Sequence, residues 1–360
     1  MSQCSRKRTA KAVVSALLFT LLSAAMSVAH AADRPSFRVA WSIYVGWMPW
    51  DYAERTGILG KWADKYDIDI ELVQMNDYIE SINQYTAGQF DAVTATNMDI
   101  LTIAAASGVD STALIVGDYS NGNDGIVLGK GRTLADIRGE RVHLVELSVS
   151  HYLLARALST VGLSERDVTV VNMAEADLVA GWASGSVPAV VTWNPMLMQL
   201  RDRADTATVF DSSSTPGEIL DLTVIKTEVM QAHPALAKAL TGAWYETIAV
   251  LADPERREAA QSFMATASGT DLQSFQRQLE TTYLFQQPDE AVSFVQSRKP
   301  REIMEKVAEF SWEKGLYGPM APDAGFVGIE FADGSVWGNG ANVQLRFTDE
   351  FMRMAATDAL

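Results

Sequence analysis

The chain has 360 residues, with 45 Asp and Glu against 29 Lys and Arg, which gives a net charge of -16 at pH 7. Such an acidic surface disfavours binding to nucleic acid and to anionic membranes, and it biases the ligand weakly toward cations or neutral polar molecules. The length exceeds that of one ordinary domain, so we expect two lobes.

Residues 1–31 are predicted to be a cleaved secretory signal peptide. A basic head at residues 6–11 precedes an apolar core at residues 12–28, and a small-x-small cleavage site at residues 29–31 follows. An uncleaved membrane anchor is the alternative, which the short, Ser- and Ala-containing apolar run disfavours. The only cysteine, Cys4, would leave with this segment. We therefore expect a periplasmic protein without disulfides.

Strand-like and helix-like patterns alternate from residue 36 to residue 211, which favours α/β layers with largely parallel sheets. The predicted strands are Ser36–Trp41, Ile68–Gln74, Ala92–Thr96, Ser111–Asp118, Gly125–Leu128, Arg141–Val145, Val168–Asn172, Ala189–Thr192 and Thr208–Asp211. Residues 226–317 have an almost wholly helical pattern, and the glycine-rich residues 321–360 indicate loops or a hairpin.

Aromatic residues cluster where the first predicted strand ends. Three Trp and one Tyr fall within Trp41–Trp50, where Gly46 and Pro49 break the strand. Aromatic side chains on a loop at the end of a strand commonly line a pocket. The sequence therefore predicts a small-molecule site with Tyr44 and Trp47 among its walls.

Two segments, Gly88–Asn97 and Gly185–Asn194, align without a gap. In each, a helix ends near a Gly, a short apolar strand follows, and an Asn closes it. Chance similarity between two helix-to-strand turns is the alternative. Because doubly wound sheets bind ligands beyond the carboxyl ends of their strands, we expect Asn97 and the pair Trp193-Asn194 on opposite walls of one cleft.

Several segments between residues 36 and 315 carry a resemblance to a known family. They are Trp41–Trp50, Tyr85–Ala92, Ser150–Leu154, Gly162-Leu163, Asp167-Val168 and Trp193-Asn194-Pro195. In these segments the chain resembles the periplasmic substrate-binding proteins of ABC importers for taurine, aliphatic sulfonates, nitrate and thiamine precursors. In Thr96–Asp99, Glu146–Ser150 and Gly217–Asp221 it is most similar to the subgroup associated with urea carboxylase.

The resemblance implies an α/β, two-lobed type II periplasmic-binding-protein fold, in which each lobe is a mostly parallel sheet flanked by helices and two crossovers join the lobes. The implied lobe 1 comprises residues 32–118 and 220–320, lobe 2 comprises residues 119–219, and residues 321–360 form a C-terminal extension of unknown role.

The same resemblance implies an extracytoplasmic monomer that binds a small molecule and delivers it to an ABC permease in the inner membrane. Guanidinium is the favoured ligand and urea is the next. A taurine, alkanesulfonate or nitrate binder of the same fold, or a ligand-sensing partner of a membrane receptor, is the alternative.

A small planar cation needs carboxylates or carbonyls in its plane and aromatic faces above and below it. Trp193 supplies a third candidate wall, and the candidate carboxylates at predicted strand ends are Asp99, Asp118, Glu146 and Asp221. Glu146 ends an apolar strand, where an unpaired charge is costly, which favours a ligand contact. Asp99 could instead cap the next helix, and Asp118 and Asp221 could form hinge hydrogen bonds.

The segment Ser148–His151 opens a predicted helix, and this favours an anion instead. Free N–H groups and hydroxyls such as that of Ser148 could hold a sulfonate or nitrate there. Simple capping by Ser150 is the alternative, and His151 is expected at the surface. Against an anion, no Arg or Lys stands at the strand ends of the aromatic stretch or of the two aligned segments.

Enzyme and metal patterns are absent from the sequence. The His residues that remain after cleavage, His143, His151 and His233, lack metal-site spacing. There is no P-loop, dinucleotide-binding fingerprint or nucleophile elbow, and the spacing of the carboxylates defines no hydrolase pair. We expect a binding protein without metal, cofactor or catalytic residues.

Overall fold

The computed structural model describes residues 34–360, which contain two β-sheets with flanking helices. The predicted signal peptide at residues 1–31 lies outside the described residues. Within residues 34–360, no helix combines the length and the apolar character that a membrane crossing requires.

The strands are numbered in chain order. They are β1 Ser36–Ser42, β2 Asp69–Met75, β3 Ala92–Thr96, β4 Ser111–Ser120, β5 Asp124–Gly129, β6 Arg141–Leu144, β7 Thr169–Asn172, β8 Ala189–Trp193, β9 Thr206–Asp211, β10 Leu220–Lys226, β11 Thr282–Leu284, β12 Gly328–Glu330, β13 Val336–Trp337 and β14 Val343–Phe347. The nine strands predicted between residues 36 and 211 all occur, with bounds that shift by no more than two residues.

The α-helices are numbered in the same way. They are α1 Met48–Arg55, α2 Ile58–Lys65, α3 Tyr78–Thr86, α4 Asn97–Asp99, α5 Val149–Thr160, α6 Glu175–Ala183, α7 Met196–Arg201, α8 Thr227–Ala232, α9 Pro234–Ala252, α10 Arg257–Ala267, α11 Leu272–Glu280, α12 Pro288–Gln296, α13 Lys299–Glu313 and α14 Glu350–Ala356. A π-helical stretch, Ile100–Ala105, continues α4.

The large sheet has the strand order β13-β12-β14-β4-β10-β3-β1-β2, with β11 paired to β4, and the small sheet has the order β7-β6-β8-β5-β9. The α/β class with two sheets is thus confirmed. Most strands of each sheet run in one direction, as expected, and a few reversed strands lie among them. Strand β10 runs antiparallel between β3 and β4, and β5 runs antiparallel between β8 and β9.

The two crossings between the sheets explain the reversed strands. The chain leaves β4 for β5 through residues 121–123 and returns from β9 to β10 through residues 212–219. Each receiving strand starts at the edge where its neighbours end, so it must run in the opposite direction. Ser120 Oγ lies 2.6 Å from Ser212 Oγ, which ties the two crossings together. The first residues of β5 and β10 therefore lie between the sheets.

Helices cover both faces of the small sheet. Along β5, Ile126 and Leu128 pack with the apolar residues of α5, whereas Val127 packs with those of α6 and α7. This alternation is that of a strand buried on both faces. The sheet is therefore a rigid support for the loops at its edge.

The last forty residues extend the large sheet. Strands β12 and β13 form an antiparallel hairpin, as the glycines of this stretch indicated, and β14 pairs in parallel with both β12 and β4. The lobe boundaries drawn from the resemblance stay a prediction.

Candidate functional site

A cavity of about 240 Å³ lies where β1, β2, β3 and β8 end and where β5 and β10 begin. We call it the cleft cavity. Sites for drug-sized ligands usually measure about 300–1,000 Å³, so this one suits a smaller solute.

Four aromatic rings form one side of the cleft cavity, and we call them the aromatic wall: Tyr44, Trp47, Tyr78 and Trp193. The Tyr44 and Trp47 ring centroids lie 5.0 Å apart, and those of Trp47 and Tyr78 lie 5.6 Å apart. Tyr78 meets Trp193 edge to face at 6.1 Å. Each ring therefore fixes the orientation of the next.

The loop between β1 and α1 brings Tyr44 and Trp47 to the cavity. It turns where the N–H of Trp47 donates to the carbonyl oxygen of Tyr44 at 2.9 Å. A Cβ atom at Gly46 would lie 2.3 Å from Asp118 Oδ2 and 2.7 Å from Tyr44 Cε1, closer than atoms can pack. The absence of a side chain at Gly46 thus lets this loop lie directly on Asp118.

Tyr78 is oriented by groups behind the aromatic wall. Its hydroxyl donates to Asp99 Oδ2 at 2.7 Å and accepts from the N–H of Thr96 at 2.9 Å. Asp99 is fully buried and does not line the cleft cavity. Burial raises the pKa of Asp99 to about 6, although hydrogen bonds from Tyr78 and Thr96 oppose that shift. The side chain that caps α4 is Thr96 and not Asp99.

Three buried carboxyl groups lie at the crossings, and we call them the carboxyl cluster: Asp118, Asp124 and Asp221. Asp118 near the end of β4 faces Asp221 at the start of β10 as a cross-strand partner. Asp124 starts β5, and both it and Asp221 line the cleft cavity. Ser120 Oγ donates to Asp124 Oδ2 at 2.5 Å.

Tyr44 connects the aromatic wall to this cluster. Its hydroxyl donates to Asp118 Oδ1 at 3.1 Å and accepts from Asn123 Nδ2 at 2.7 Å. Asp118 Oδ2 is buried and receives no hydrogen bond from an N–H or hydroxyl group of the described residues. One oxygen of the cluster is therefore unsatisfied by neutral donors.

Burial dominates the electrostatics of the carboxyl cluster. It raises the pKa of Asp118 and of Asp124 to about 7, with hydrogen bonds to each group acting in the opposite direction. The pKa of Asp221 is raised further, by burial first and then by the neighbouring charges of Asp118 and Asp124. Crowded carboxyls disfavour each other's ionisation.

The cleft cavity has no positive side chain to balance these acids. Among the described residues, neither Lys nor Arg lines it, whereas Asp124, Asp221 and Glu175 do. Arg201 is directed at Asp211, with Nη2 to Oδ2 at 3.0 Å. Residues 34–360 contain no group of three or more His, Cys, Asp or Glu that could hold a metal ion. The lining therefore combines acidic groups with no Lys or Arg of the described residues.

Two expected site residues, Asn97 and Asn194, hold the crossings in place and do not line the cavity. Asn97 Oδ1 accepts from the N–H of Leu220 at 3.1 Å, and its Nδ2 donates to the carbonyl oxygen of Glu218 at 3.2 Å. Asn194 Nδ2 donates to Thr281 Oγ1 at 3.1 Å. The aligned segments meet at the cavity one residue earlier, through Thr96 and Trp193.

Glu146 and Ser148 also lie off the cavity lining. Glu146 is exposed in the loop beyond β6, so its charge is solvated. Ser148 caps α5 by accepting from the N–H of Ser150 at 3.2 Å, so the expected cap at Ser150 is wrong. His151 is buried, with Nε2 2.9 Å from Glu165 Oε1, and its expected surface position is wrong as well. Ligand contact by Glu146 or Ser148 stays a prediction that this geometry does not favour.

The lining residues that were not predicted from the sequence include Tyr78, Thr96, Asp124 and Glu175. Tyr78 follows β2 after two polar residues, so the rule about strand ends could have found it. Asp124 stands in Asn123-Asp124-Gly125, which has the composition of an ordinary turn. Its burial depends on the pairing of β5 with β8 and β9, which no local pattern shows.

The chain belongs to the NMT1/THI5-like family, whose model matches residues 60–257, more than half of the chain. It is 24% identical to the taurine-binding periplasmic protein of Escherichia coli (strain K12) over 141 residues, which are 39% of this chain and 44% of that protein. The chain thus spans less than half the length of the curated relatives that it matches.

Solved structures share the fold. The alkanesulfonate-binding protein SsuA from Xanthomonas axonopodis pv. citri, bound to MOPS, superposes with a TM-score of 0.65 at 20% identity, over 80% of this chain and 96% of that one. The periplasmic nitrate-binding protein NrtA from Synechocystis PCC 6803 gives a TM-score of 0.64 at 13% identity, over 90% and 88%. By name, these relatives are binding proteins and not enzymes.

Proposed function

We propose that this protein is an extracytoplasmic solute-binding protein of an ABC importer and that it captures a small, planar, polar nitrogen compound, with the guanidinium cation favoured and neutral urea next. The observation that carries the proposal is the composition of the cleft cavity, where an aromatic wall meets buried carboxyls and no described Lys or Arg takes part. Such a site attracts positive charge and repels anions.

Each part of the cavity matches one part of a guanidinium ion. The flat faces of the ion would stack on rings such as Trp47 and Trp193, which interact favourably with cations. Its edge carries only N–H donors, which Asp124 and Asp221 can accept. Urea has a similar shape but no charge, and its carbonyl oxygen would find few donors among these carboxylates.

The proposal extends to location and partners. The relatives are named periplasmic, and the family fold places the cavity between two sheets joined by two crossings. The protein would act in the periplasm as a monomer, close on its ligand about the crossings, and present the closed form to a membrane permease.

The first test is calorimetric titration of the protein with guanidinium, urea, taurine and nitrate. We expect guanidinium to bind at least about tenfold more tightly than urea, a difference of about 1.4 kcal/mol, and neither taurine nor nitrate to bind measurably. A preference for taurine or nitrate would contradict the cation proposal.

The second test asks which carboxyl group contributes its charge to ligand binding. Asp221→Asn should weaken guanidinium about a hundredfold, since it removes a buried charged acceptor, and should change urea binding far less. Asp177→Asn, which alters an exposed carboxyl on α6, is the control and should change neither. If Glu146→Gln weakens guanidinium about a hundredfold and Asp221→Asn does not, the prediction that Glu146 contacts the ligand is correct and the cavity assignment is wrong.

One observation favours a sulfonate as a second candidate. Val149, the first residue of α5, lines the cleft cavity, and the hydroxyl of Ser150 is buried without a partner among the described residues. A helix N-terminus with a free hydroxyl can hold an anion. Taurine in the titration above decides between the two candidates.

A further inference from the structure

Asp118 and Asp221 lie directly opposite each other on β4 and β10. Both side chains are buried, and side chains directly opposite each other in an antiparallel pair have Cβ atoms about 4.5–5.5 Å apart. Two buried carboxylates at such a spacing repel each other, and a hydrogen bond between them requires a proton on one of them. The placement of the two residues therefore favours a pair with one proton and one negative charge.

The described groups around the pair offer it few hydrogens. The one hydroxyl hydrogen of Tyr44 serves both carboxyls, since the hydroxyl lies 3.1 Å from Asp118 Oδ1 and also interacts with Asp221, and the backbone of Thr96 pairs with that of Asp221 on the β3 side. The other titratable groups that face the pair are negative or become negative: Tyr44, Asp124, and Tyr78 with Asp99 behind the aromatic wall. The nearest cation, Arg201, acts on Asp124 while it pairs with Asp211.

The electrostatics agree with the geometry. Burial raises the pKa of Asp118 to about 7, and burial and the charge of Asp118 raise that of Asp221 further. Such a pair titrates as a unit, and its raised pKa values keep a proton on it at neutral pH. At pH 7 the ligand-free protein thus holds a proton next to the place where a solute would bind.

Building on the proposed function, we propose that Asp118 and Asp221 share one proton in the ligand-free protein and release it when a cation binds, so that this pair selects a charged solute over a neutral one of the same shape. The carboxyl O–H bond breaks, the proton passes to bulk water, and N–H donors of the cation replace it. The charge inside the cavity stays constant during the exchange.

A neutral solute cannot drive this exchange. Urea brings no charge to compensate a second carboxylate, so the pair keeps its proton and one of its oxygens stays occupied by it. The role of Asp118 is that of a positioning residue, because it lies beneath Tyr44 and outside the cavity lining. It acts on the ligand through Asp221.

The test is calorimetry of guanidinium chloride binding to the full chain in buffers with different heats of ionisation, from pH 5.5 to pH 9. The buffer dependence of the heat gives the number of protons released. We expect close to one proton per guanidinium near pH 7, falling toward zero at pH 9. The affinity should rise about tenfold per pH unit where one proton is released and level off toward pH 9 as the release disappears.

Asp118→Asn keeps the size of the side chain and supplies an amide donor to Asp221 without an acidic proton. We expect this variant to bind guanidinium with little proton release and a flat pH profile, whereas Asp177→Asn should behave as the parent. Tight binding of guanidinium without proton release would overturn the inference and leave the proposed function intact. Failure of guanidinium to bind at any pH would overturn the proposed function itself. Undiminished release from Asp118→Asn would assign the proton to another group.

Discussion

The hydroxyl of Tyr44 joins the aromatic wall to the carboxyl cluster. It lies between Asn123 Nδ2 and Asp118 Oδ1, at 2.7 and 3.1 Å. Its own pKa is raised by burial and by the charges of Asp118 and Asp221, so it remains a donor. The orientation of the first aromatic ring and the charge of the cluster are therefore coupled.

Tyr44→Phe should keep the ring and remove the donor to Asp118. The pKa of Asp118 should then rise further, and guanidinium affinity at pH 7 should fall about tenfold, the cost of about one buried hydrogen bond. Calorimetry measures the change. Tyr283→Phe, on a ring that is 45% exposed, is the control and should have no effect. Equal affinity of Tyr44→Phe and the parent would show that the hydroxyl does not support the cluster.

At single positions, the sequence predicted the aromatic part of the site better than the acidic part. Tyr44, Trp47 and Trp193 follow strands in sequence, and the structure places all three at the cavity. Acidic residues also occur in turns and caps, so their type does not reveal burial. Glu146 and Asp124 both flank apolar strands, yet one is exposed and the other is buried.

Helices α5 and α13 are joined to the second crossing by one carboxylate. Glu218 Oε2 accepts from the Tyr152 hydroxyl at 2.7 Å and from Arg156 Nε at 2.9 Å, while Oε1 accepts from Lys306 Nζ at 3.0 Å. The charged donors lower the pKa of Glu218 despite its burial. Glu218 therefore connects α5, which packs on the small sheet, with α13.

Glu218→Gln should lower the free energy of unfolding by about 2 kcal/mol, because three donors lose a charged acceptor. Chemical denaturation at pH 7 measures this loss. The matched control is Glu71→Gln, in the exposed pair with Arg38, which should change stability by less than about 0.5 kcal/mol. A loss no larger than that of the control would show that the hydrogen bonds to Glu218 contribute nothing to stability.

Elements with a clear local pattern of apolar residues were predictable from the sequence. Strands defined by pairing with strands far away in the sequence were not. The β3 and β8 strands follow glycine-terminated helices, and their sequence similarity predicted two equivalent strand ends. Strand β10 was missed because its direction and position depend on partners in β3 and β4, more than one hundred residues earlier. The two- to five-residue strands β12–β14 are likewise defined by pairing with each other and with β4.

The whole molecule keeps several carboxyls buried although it carries a large excess of acidic residues. The pKa values of Asp99, at about 6, and of Asp118 and Asp124, at about 7, lie above the value near 3.9 of an unfolded chain. Between these values the native state binds more protons than the unfolded state. The stability of the ligand-free protein should therefore fall as pH rises from 5 to 8, by about 1.4 kcal/mol per pH unit for each group that titrates.

Thermal unfolding without ligand at pH 5 and pH 8 tests this expectation. The melting temperature should be lower at pH 8, and saturating guanidinium should restore it more at pH 8 than at pH 5. The variant with both Asp118→Asn and Asp124→Asn should show a flatter profile. A melting temperature that rises with pH would mean that these carboxyls are ionised in the folded protein throughout.

Asp124 and Asp221 lie at the starts of the two strands that the chain enters directly after each crossing, and Asp118 lies just before the first crossing. Under the proposed function, the crossings about which the protein closes and the groups that bind the cation are therefore the same few residues. Repulsion between ionised carboxyls there would favour separation of the two sheets, and a bound cation would remove that repulsion. Substitutions at these three positions that change ligand affinity should also change how readily the two sheets separate. Ligand affinity and the opening of the cavity therefore cannot be changed independently there.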